Sequence, residues 1–297
     1  MLKKLESKEG FINVEGGKIW YKIVGHKNSG TPLIIIHGGP GATHDYLETI
    51  SELADNRPII FYDQLGSGNS DHPCDNSLWR IERFVDELDT IIQELGLEKV
   101  HILGQSWGTM LTVDYMLTEN NRNVISLILS APCLSTKLWV ADQEKYLYKL
   151  EVEIQQIISE AENKGNFNSS EYQNAMMLYY RRHICNMPIW PEPLLRTFEK
   201  MGKEVYNYMW GASEFTVTGT LKNYERVKDL KEIKTPVLFT AGRYDEASPE
   251  STQIYKDNLP GSEIYIFEDA THSHHLEKTV EYNNLIRNFL TRVEIKK

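Results

Sequence analysis

The sequence contains few cysteines and no long apolar run, and these shortages exclude several classes of protein. Its three cysteines, Cys74, Cys133 and Cys185, are odd in number and widely spaced, which fits neither a disulfide framework nor a zinc site. No histidine-paired motif surrounds any of them, so we do not expect a catalytic thiol. No apolar run approaches the ~20 residues of a membrane span, and the first nine residues lack the apolar segment of a secretory signal. We therefore predict a cytoplasmic protein without a membrane anchor.

Positive charge is also scarce. The chain has 32 lysines and arginines against 42 aspartates and glutamates, which gives a net charge of −10. Because nucleic acids and anionic lipid surfaces are themselves negative, neither is an expected partner, and the ligand should be neutral or cationic. With 297 residues, the chain is better described as one α/β domain with an insertion than as two independent domains.

Apolar patterning predicts a mostly parallel, doubly wound α/β sheet. Continuous apolar runs are typical of strands buried on both faces, and helical periodicity separates them. The first two strands should form an antiparallel hairpin through Gly16-Gly17 at one edge. The predicted strands are residues 11–15, 18–24, 32–37, 58–63, 99–103, 124–130, 236–241 and 263–267. The predicted helices are residues 81–95, 109–117, a helix from Pro249, and 280–293.

The alternation of strands and helices stops between residues 133 and 227, where the chain is polar, helical and rich in aromatic residues. We interpret this segment as a helical cap inserted before the last two strands, with residues 1–132 and 228–297 forming the core. A loop is expected at 162–170. The aromatic rings are most simply explained as packing within the cap.

One stretch, G-Q-S-W-G at residues 104–108, carries the strongest chemical signal. It lies between a predicted strand and a predicted helix, which is the setting in which G-x-S-x-G forms a nucleophile elbow. Such a turn strains the residue at its apex, and flanking glycines let the strand and helix approach each other. We therefore predict Ser106 as a catalytic nucleophile.

A serine hydroxyl needs a base to accept its proton and a carboxylate to orient that base. In this kind of sheet the partners follow in the order serine, acid, histidine. Asp245 and Glu246 follow the penultimate predicted strand, and His272 follows the last. We predict Asp245 as the orienting acid and His272 as the general base. Glu246 is the alternative acid; His274 and His275 are alternative bases, which we expect at a solvated surface or a helix cap.

The tetrahedral intermediate of acyl transfer also needs N–H donors for its oxyanion, one of them from the residue after the nucleophile. That residue is Trp107. The second donor is expected from the turn H-G-G-P-G at residues 37–41, where glycines let the backbone approach a substrate oxygen. We choose Gly39 over Gly38, and a purely structural turn is the alternative.

Several motifs together resemble the proline iminopeptidase family of serine peptidases, close to its tricorn-interacting aminopeptidase branch. They are H-G-G-P-G at 37–41, D-Q-L-G-S-G-N-S at 63–70, G-Q-S-W-G at 104–108, G-A-S-E-F at 211–215, G-R-Y-D at 242–245, and His272 with Glu277. The resemblance implies an α/β-hydrolase fold and release of an N-terminal residue, often proline, from short peptides. It also implies that neither a metal nor another cofactor is needed.

The resemblance further implies that Glu214 and Glu246 bind the α-ammonium group of the substrate. An enzyme that acts only at a chain end must measure the distance from the free amine to the scissile carbonyl. At 4 Å, each carboxylate would attract the cation by about 4 kcal/mol at an effective dielectric of 20, before desolvation is subtracted. The chain departs from the family's usual residues at Ala212-Ser213 and at Thr109, beside the predicted amine pocket and the elbow.

We therefore predict a serine aminopeptidase that releases proline or another, often apolar, N-terminal residue from short peptides through an acyl-enzyme. An esterase, lactonase or amino-acid amidase with the same triad is the alternative. Epoxide hydrolase and dehalogenase chemistry is disfavoured because the elbow carries serine instead of aspartate. A non-catalytic binding protein on the same scaffold is disfavoured because all three triad members are present.

Overall fold

The computed structural model describes residues 6–118 and 121–295, which form one eight-stranded sheet flanked by helices. The strands are β1 (Ser7–Val14), β2 (Gly17–Val24), β3 (Leu33–Ile36), β4 (Ile59–Tyr62), β5 (Val100–Gln105), β6 (Val124–Ser130), β7 (Val237–Gly242) and β8 (Glu263–Phe267). Their order across the sheet is β1-β2-β4-β3-β5-β6-β7-β8. The pairs β1–β2 and β2–β4 are antiparallel and the remaining neighbours are parallel. The predicted fold class is confirmed. Residues 1–5, part of the stretch searched for a signal segment, lie outside the described residues.

Side chains of β3 explain why its sequence is a continuous apolar run. Leu33 and Ile35 join the hydrophobic cluster on one face of the sheet, and Ile34 and Ile36 join the cluster on the other. Because successive side chains of a strand point to opposite faces, a strand covered on both sides must be apolar at every position. The core therefore consists of two layers, one on each face.

The helices cover both faces of the sheet. They are α1 (Ile81–Glu94), α2 (Trp107–Met116), α3 (Thr136–Leu147), α4 (Val152–Lys164), α5 (Ser170–His183), α6 (Glu192–Glu199), α7 (Lys203–Met209), α8 (Pro249–Asp257), α9 (His274–Glu277) and α10 (Thr279–Ile295). Helices α1 and α2 pack on one face, and α10 with the 3₁₀ helix Asp45–Asp55 packs on the other. Within residues 6–118 and 121–295, no helix combines the length and apolar character needed to cross a bilayer.

The β1–β2 hairpin turns one residue earlier than expected. Glu15 and Gly16 form the turn, with φ 93° at Gly16, and Gly17 already pairs with Val14. A Cβ on Gly17 would lie 2.9 Å from the Cβ of Asp71, so this glycine is required by a close contact and not by the turn.

Between β6 and β7 the chain forms the five helices α3 to α7. Tyr146, Tyr172 and Tyr179 pack with Ile158 in a hydrophobic cluster separate from those of the sheet. The loop expected at 162–170 is shorter, because α4 continues to its end at Lys164 and α5 begins at Ser170. The bounds 133–227 for the cap remain a prediction.

Candidate active site

The sharp turn between β5 and α2 presents Ser106 to a cavity. Ser106 has φ 54° and ψ −122°, a strained conformation that costs a non-glycine residue of order 1–3 kcal/mol. A Cβ on Gly104 would lie 2.3 Å from the Gly108 carbonyl oxygen, and one on Gly108 would lie 2.4 Å from the Ile36 carbonyl oxygen. Both positions must therefore be glycine. Thr109 donates its hydroxyl to the Ser106 carbonyl at 2.6 Å and braces the turn.

The carboxyl ends of β7 and β8 bring the predicted acid and base together. Asp245 Oδ1 lies 2.7 Å from His272 Nδ1, and the same oxygen accepts the N–H of Ala247 at 2.8 Å. With a proton on Nδ1, the imidazole donates to Asp245 and keeps Nε2 free to act as a base. His272 and Ser106 line the same cavity. The three residues, far apart in sequence, therefore lie at one edge of the sheet.

The loop that carries His272 is held from two sides. The N–H groups of His272 and of the next residue donate to the carbonyls of His183 and Ile184, at 3.0 and 2.8 Å. Glu277, which the sequence identified only as part of a motif, accepts the N–H and the hydroxyl of Thr271 at 2.6 and 2.7 Å. Because His183 ends α5, the position of the predicted base depends on the cap as well as on the sheet.

The two glycines considered for the oxyanion differ in their contacts. Gly38 donates its N–H to the Tyr46 hydroxyl at 2.8 Å. Gly39, with φ 110°, lines the cavity. Trp107 is the first residue of α2, where the backbone N–H has no partner within the helix. These contacts favour Gly39 over Gly38, and the donor roles of Gly39 and Trp107 remain predictions.

Glu214 from the segment after α7 and Glu246 from the turn after β7 line the same cavity. The Tyr206 hydroxyl donates to Glu214 Oε1 at 2.6 Å, and the Tyr179 hydroxyl lies 3.3 Å from Glu246 Oε2. Glu246 Oε1 is 3.7 Å from His272 Nε2. In the described part of the chain, neither carboxylate forms an ion pair with a lysine or an arginine. We call Glu214 and Glu246 the glutamate pair.

The glutamate pair is electrostatically uncompensated. Burial raises the pKa of the Glu246 carboxyl well above its ordinary value, and the charges of Glu214 and Asp245 raise it further. Burial also raises the pKa of Glu214, although the Tyr206 hydrogen bond and His272 act in the opposite direction. Two carboxyl groups that resist ionisation in one cavity form a site to which a cation would bind favourably.

Two aromatic residues of the cap, expected from the sequence to serve as packing, also contact the glutamate pair. A buried tyrosine hydroxyl needs a polar partner, and this rule could have flagged Tyr206, which precedes Glu214 by eight residues. No sequence signal connects Tyr179 with Glu246, because they meet only through the packing of α5 on the core. Trp139 also contributes, since its indole N–H donates to the Glu214 carbonyl at 3.1 Å.

His274 and His275 are buried, so the expectation of a solvated or capping position is wrong. His274 Nε2 lies 3.0 Å from Ser130 Oγ, and His275 Nε2 lies 3.1 Å from the Tyr46 carbonyl. Burial lowers the pKa of both rings, to about 3 for His275, so both are neutral near pH 7. The physical reason is that α9 packs against the 3₁₀ helix Asp45–Asp55, which excludes solvent.

The cavity has a volume of about 680 Å³, within the range of sites for small molecules. Outside it, His44, Asp45 and Glu48 form the single group of metal-ligating side chains within the described ranges that is compact enough to hold an ion. Arg196 already pairs with both carboxylates of that group, at 2.8 and 2.6 Å. We therefore assign it a structural role that links α6 to the core.

Comparison with known proteins extends these observations. Residues 31–279 match a family model described as the alpha/beta hydrolase fold. The chain is 43% identical over 286 residues to a proline iminopeptidase of Heyndrickxia coagulans, covering 96% of this chain and 99% of that protein. It is 39% identical over 291 residues to a proline iminopeptidase of Lactobacillus crispatus, covering 96% and 99%. The crystal structure of a proline iminopeptidase from Mycobacterium smegmatis has a TM-score of 0.89 at 31% identity, covering 97% and 99%.

Proposed function

The chain belongs to the α/β-hydrolase family and, within it, to the proline iminopeptidases, and from this premise we propose that it is a serine aminopeptidase. It releases the N-terminal residue, proline in particular, from short peptides with a free N-terminus. The observation that carries this proposal is the glutamate pair, which forms no ion pair with any described lysine or arginine and lines the same cavity as Ser106 and His272.

In the first half of the reaction, Ser106 Oγ attacks the carbonyl carbon of the first residue and its proton passes to His272 Nε2. Asp245 holds the imidazole in the required tautomer and stabilises the imidazolium that forms. The N–H groups of Gly39 and Trp107 donate to the oxyanion, and removal of one such donor typically costs about 3 kcal/mol. As the C–N bond breaks, His272 returns the proton to the leaving amine, which departs as the shortened peptide.

In the second half, a water molecule hydrolyses the ester bond between Ser106 and the released residue. His272 accepts a proton from the water as its oxygen attacks the acyl carbon. The bond to Ser106 Oγ then breaks, Oγ recovers the proton, and the free amino acid leaves. In neither half of the reaction does the glutamate pair transfer a proton or an electron pair. Its function is to hold the substrate amine.

The glutamate pair limits cleavage to the first peptide bond. An α-ammonium held by Glu214 and Glu246 fixes the distance between the chain end and the carbonyl that faces Ser106. The hydrogen bond from Tyr206 holds Glu214 in place before substrate arrives, and Tyr179, whose hydroxyl donates to Gln143, lies 3.3 Å from Glu246. Carboxylates that are already positioned reduce the ordering required on binding. An acetylated amine carries no charge and would leave both carboxylates without a cation.

The surface beside the predicted base suits an apolar first residue. Trp139 lies edge-on to Trp210 and to His272, with ring centroids 5.3 and 6.4 Å apart. Cys133 also lines the cavity, and burial raises the pKa of its thiol well above the ordinary value, so the thiol stays protonated. An uncharged surface next to carboxylates selects a residue that combines an apolar side chain with a free amine. Proline has both properties.

A panel of chromogenic substrates tests the proposal. We expect the prolyl anilide to have the highest kcat/KM among prolyl, alanyl and leucyl anilides, and the N-acetylprolyl anilide to be a very poor substrate. Ser106→Ala should abolish the activity, and Ser29→Ala, at an exposed serine, should retain it. Equal rates on free and acetylated prolyl anilides would contradict the aminopeptidase. A preference for simple esters or lactones would favour the alternative hydrolase.

We propose that the enzyme is cytoplasmic because its cysteines are unpaired. All three cysteines are unpaired and Cys74 is exposed, as expected in a reducing compartment. Prolyl anilide hydrolysis should therefore appear in the cytosolic fraction of cells that express the chain. Activity confined to the culture medium would contradict this location.

A further inference from the structure

Among the described residues, one lysine, Lys203, lines the cavity, and the proposed chemistry does not use it. We propose that Lys203, assisted by Asn207, binds the C-terminal carboxylate of the peptide substrate. This inference rests on the proposed aminopeptidase function and deepens it, because it defines the substrates as peptides short enough for both charged ends to lie in one cavity.

The charges around the cavity support this assignment. Among the described residues that line it, the acidic groups are Glu214 and Glu246, and Lys203 is the one lysine or arginine. Lys203 forms no ion pair with any carboxylate in the described part of the chain. A short peptide at neutral pH carries an ammonium at one end and a carboxylate at the other. The cavity therefore offers the opposite charge to each end of such a molecule.

One face of α7 carries two hydrogen-bond donors for the C-terminal carboxylate of the substrate. Lys203 and Asn207 are four residues apart, so their side chains lie one above the other, and both line the cavity. Within residues 6–118 and 121–295, the Asn207 amide makes no side-chain hydrogen bond. An ammonium and an amide N–H₂ group on adjacent turns can each donate to one oxygen of a carboxylate.

The spacing along α7 matches a short peptide. Tyr206, which donates to Glu214, is three residues from Lys203, a rise of about 4.5 Å along the helix axis. An extended peptide spans about 3.3–3.6 Å per residue, and the flexible lysine side chain adds to its reach. The amine end and the carboxylate end of a dipeptide or tripeptide can therefore be bound from the same helix.

The backbone of Lys203 is fixed relative to the predicted oxyanion turn. The N–H of the preceding residue, Gly202, donates to the Gly41 carbonyl at 2.7 Å. A Cβ on Gly202 would lie 2.0 Å from the Gly66 carbonyl oxygen, so the start of α7 sits directly against the core. The lysine is thus positioned by the turn at residues 37–41 as well as by the cap.

The test compares substrates that differ only at the C-terminus. For wild type, kcat/KM is measured on prolylglycine and prolylglycinamide, and on the acid and amide forms of prolyl tripeptides and pentapeptides. We expect a preference for the acid of about three- to tenfold with dipeptides or tripeptides, carried by KM. The preference should disappear with pentapeptides, whose carboxylate lies beyond Lys203, and should weaken as salt is added.

Three variants locate the effect. Lys203→Met should lose the preference for the acid, Lys203→Arg should retain it, and Lys222→Met, at an exposed cap lysine outside the cavity, should behave as wild type. Thermal unfolding of each variant reports whether it folds. An unchanged acid-to-amide ratio in a folded Lys203→Met variant would overturn the inference. This failure is distinct from that of the proposed function, which would appear as wild type without Ser106-dependent release of proline from either form.

Discussion

Glutamine at position 214 or 246 would remove one negative charge from the cavity while keeping the shape of the side chain. The amide oxygen of a glutamine can still accept the Tyr206 hydroxyl that lies 2.6 Å from Glu214 Oε1, or the Tyr179 hydroxyl that lies 3.3 Å from Glu246 Oε2. The change therefore tests the charge itself, because the hydrogen-bonded frame around it is retained.

The expected magnitude follows from the kind of contact that is lost. A hydrogen bond to a charged group contributes about 1.5–3 kcal/mol net. Since 1.36 kcal/mol corresponds to a factor of ten, each single variant should lose about 10- to 150-fold in kcat/KM on prolyl anilide. If both carboxylates bind one ammonium, the double variant should not show the product of the two losses, because neighbouring groups that share a ligand are coupled.

The assay needs a substrate without an amine. On a short acyl ester that lacks an ammonium group, Glu214→Gln and Glu246→Gln should keep kcat/KM within a few-fold of wild type. Glu204→Gln, at an exposed glutamate on α7, provides the charge-matched control and should leave both activities unchanged. Equal losses on the anilide and the ester would refute the reasoning, since they would assign the pair to the acyl-transfer chemistry and not to amine binding.

Three further changes test other parts of the molecule. The pKa of Glu246 is raised above its ordinary value of 4.5 in the folded chain. Wild type should therefore lose stability as the pH rises from 4.5 towards the pKa of the folded state. Glu246→Gln should therefore have a higher Tm at pH 8 and nearly the same Tm at pH 4.5. Tyr46→Phe leaves the Gly38 N–H without its partner at 2.8 Å and should lower kcat on prolyl anilide by about tenfold or more. Arg83→Met leaves the buried Glu87 carboxylate uncompensated and should lower the free energy of unfolding in urea by about 3–5 kcal/mol.

Each of these expectations has a clear opposing result. A Tm difference between Glu246→Gln and wild type that stays constant from pH 4.5 to pH 8 would mean that the charge of Glu246 does not destabilise the fold. An unchanged kcat in Tyr46→Phe would separate this hydroxyl from the oxyanion turn. For the core pair, replacing Arg83 and Glu87 together with Met and Leu should recover most of the loss, because an apolar pair leaves no buried charge. If the double variant were as unstable as Arg83→Met, the loss of stability would come from packing and not from the unpaired charge of Glu87.

The sequence alone determined the sheet and the elbow, because both depend on rules that act over a few residues. The run at 32–37 predicted β3, since a strand covered on both faces must be apolar throughout. Gly104 and Gly108 marked the elbow because no side chain fits where strand and helix meet. Two errors were also local. The hairpin turn was predicted one residue late, and the loop at 162–170 was predicted too long. The ends of short elements depend on capping, which the apolar pattern does not show.

The tertiary structure alone decided several other polar contacts around the cavity. His274 and His275 were expected near solvent, and the packing of α9 on the core buried both. Tyr179 reaches Glu246, and Tyr206 on α7 lines the same cavity as Lys203, only because α5 and α7 pack against the core. Backbone patterns specify helices and strands one segment at a time, whereas the partner of a buried carboxylate depends on how distant segments pack. The partners that hold the glutamate pair are therefore set by contacts that no local pattern encodes.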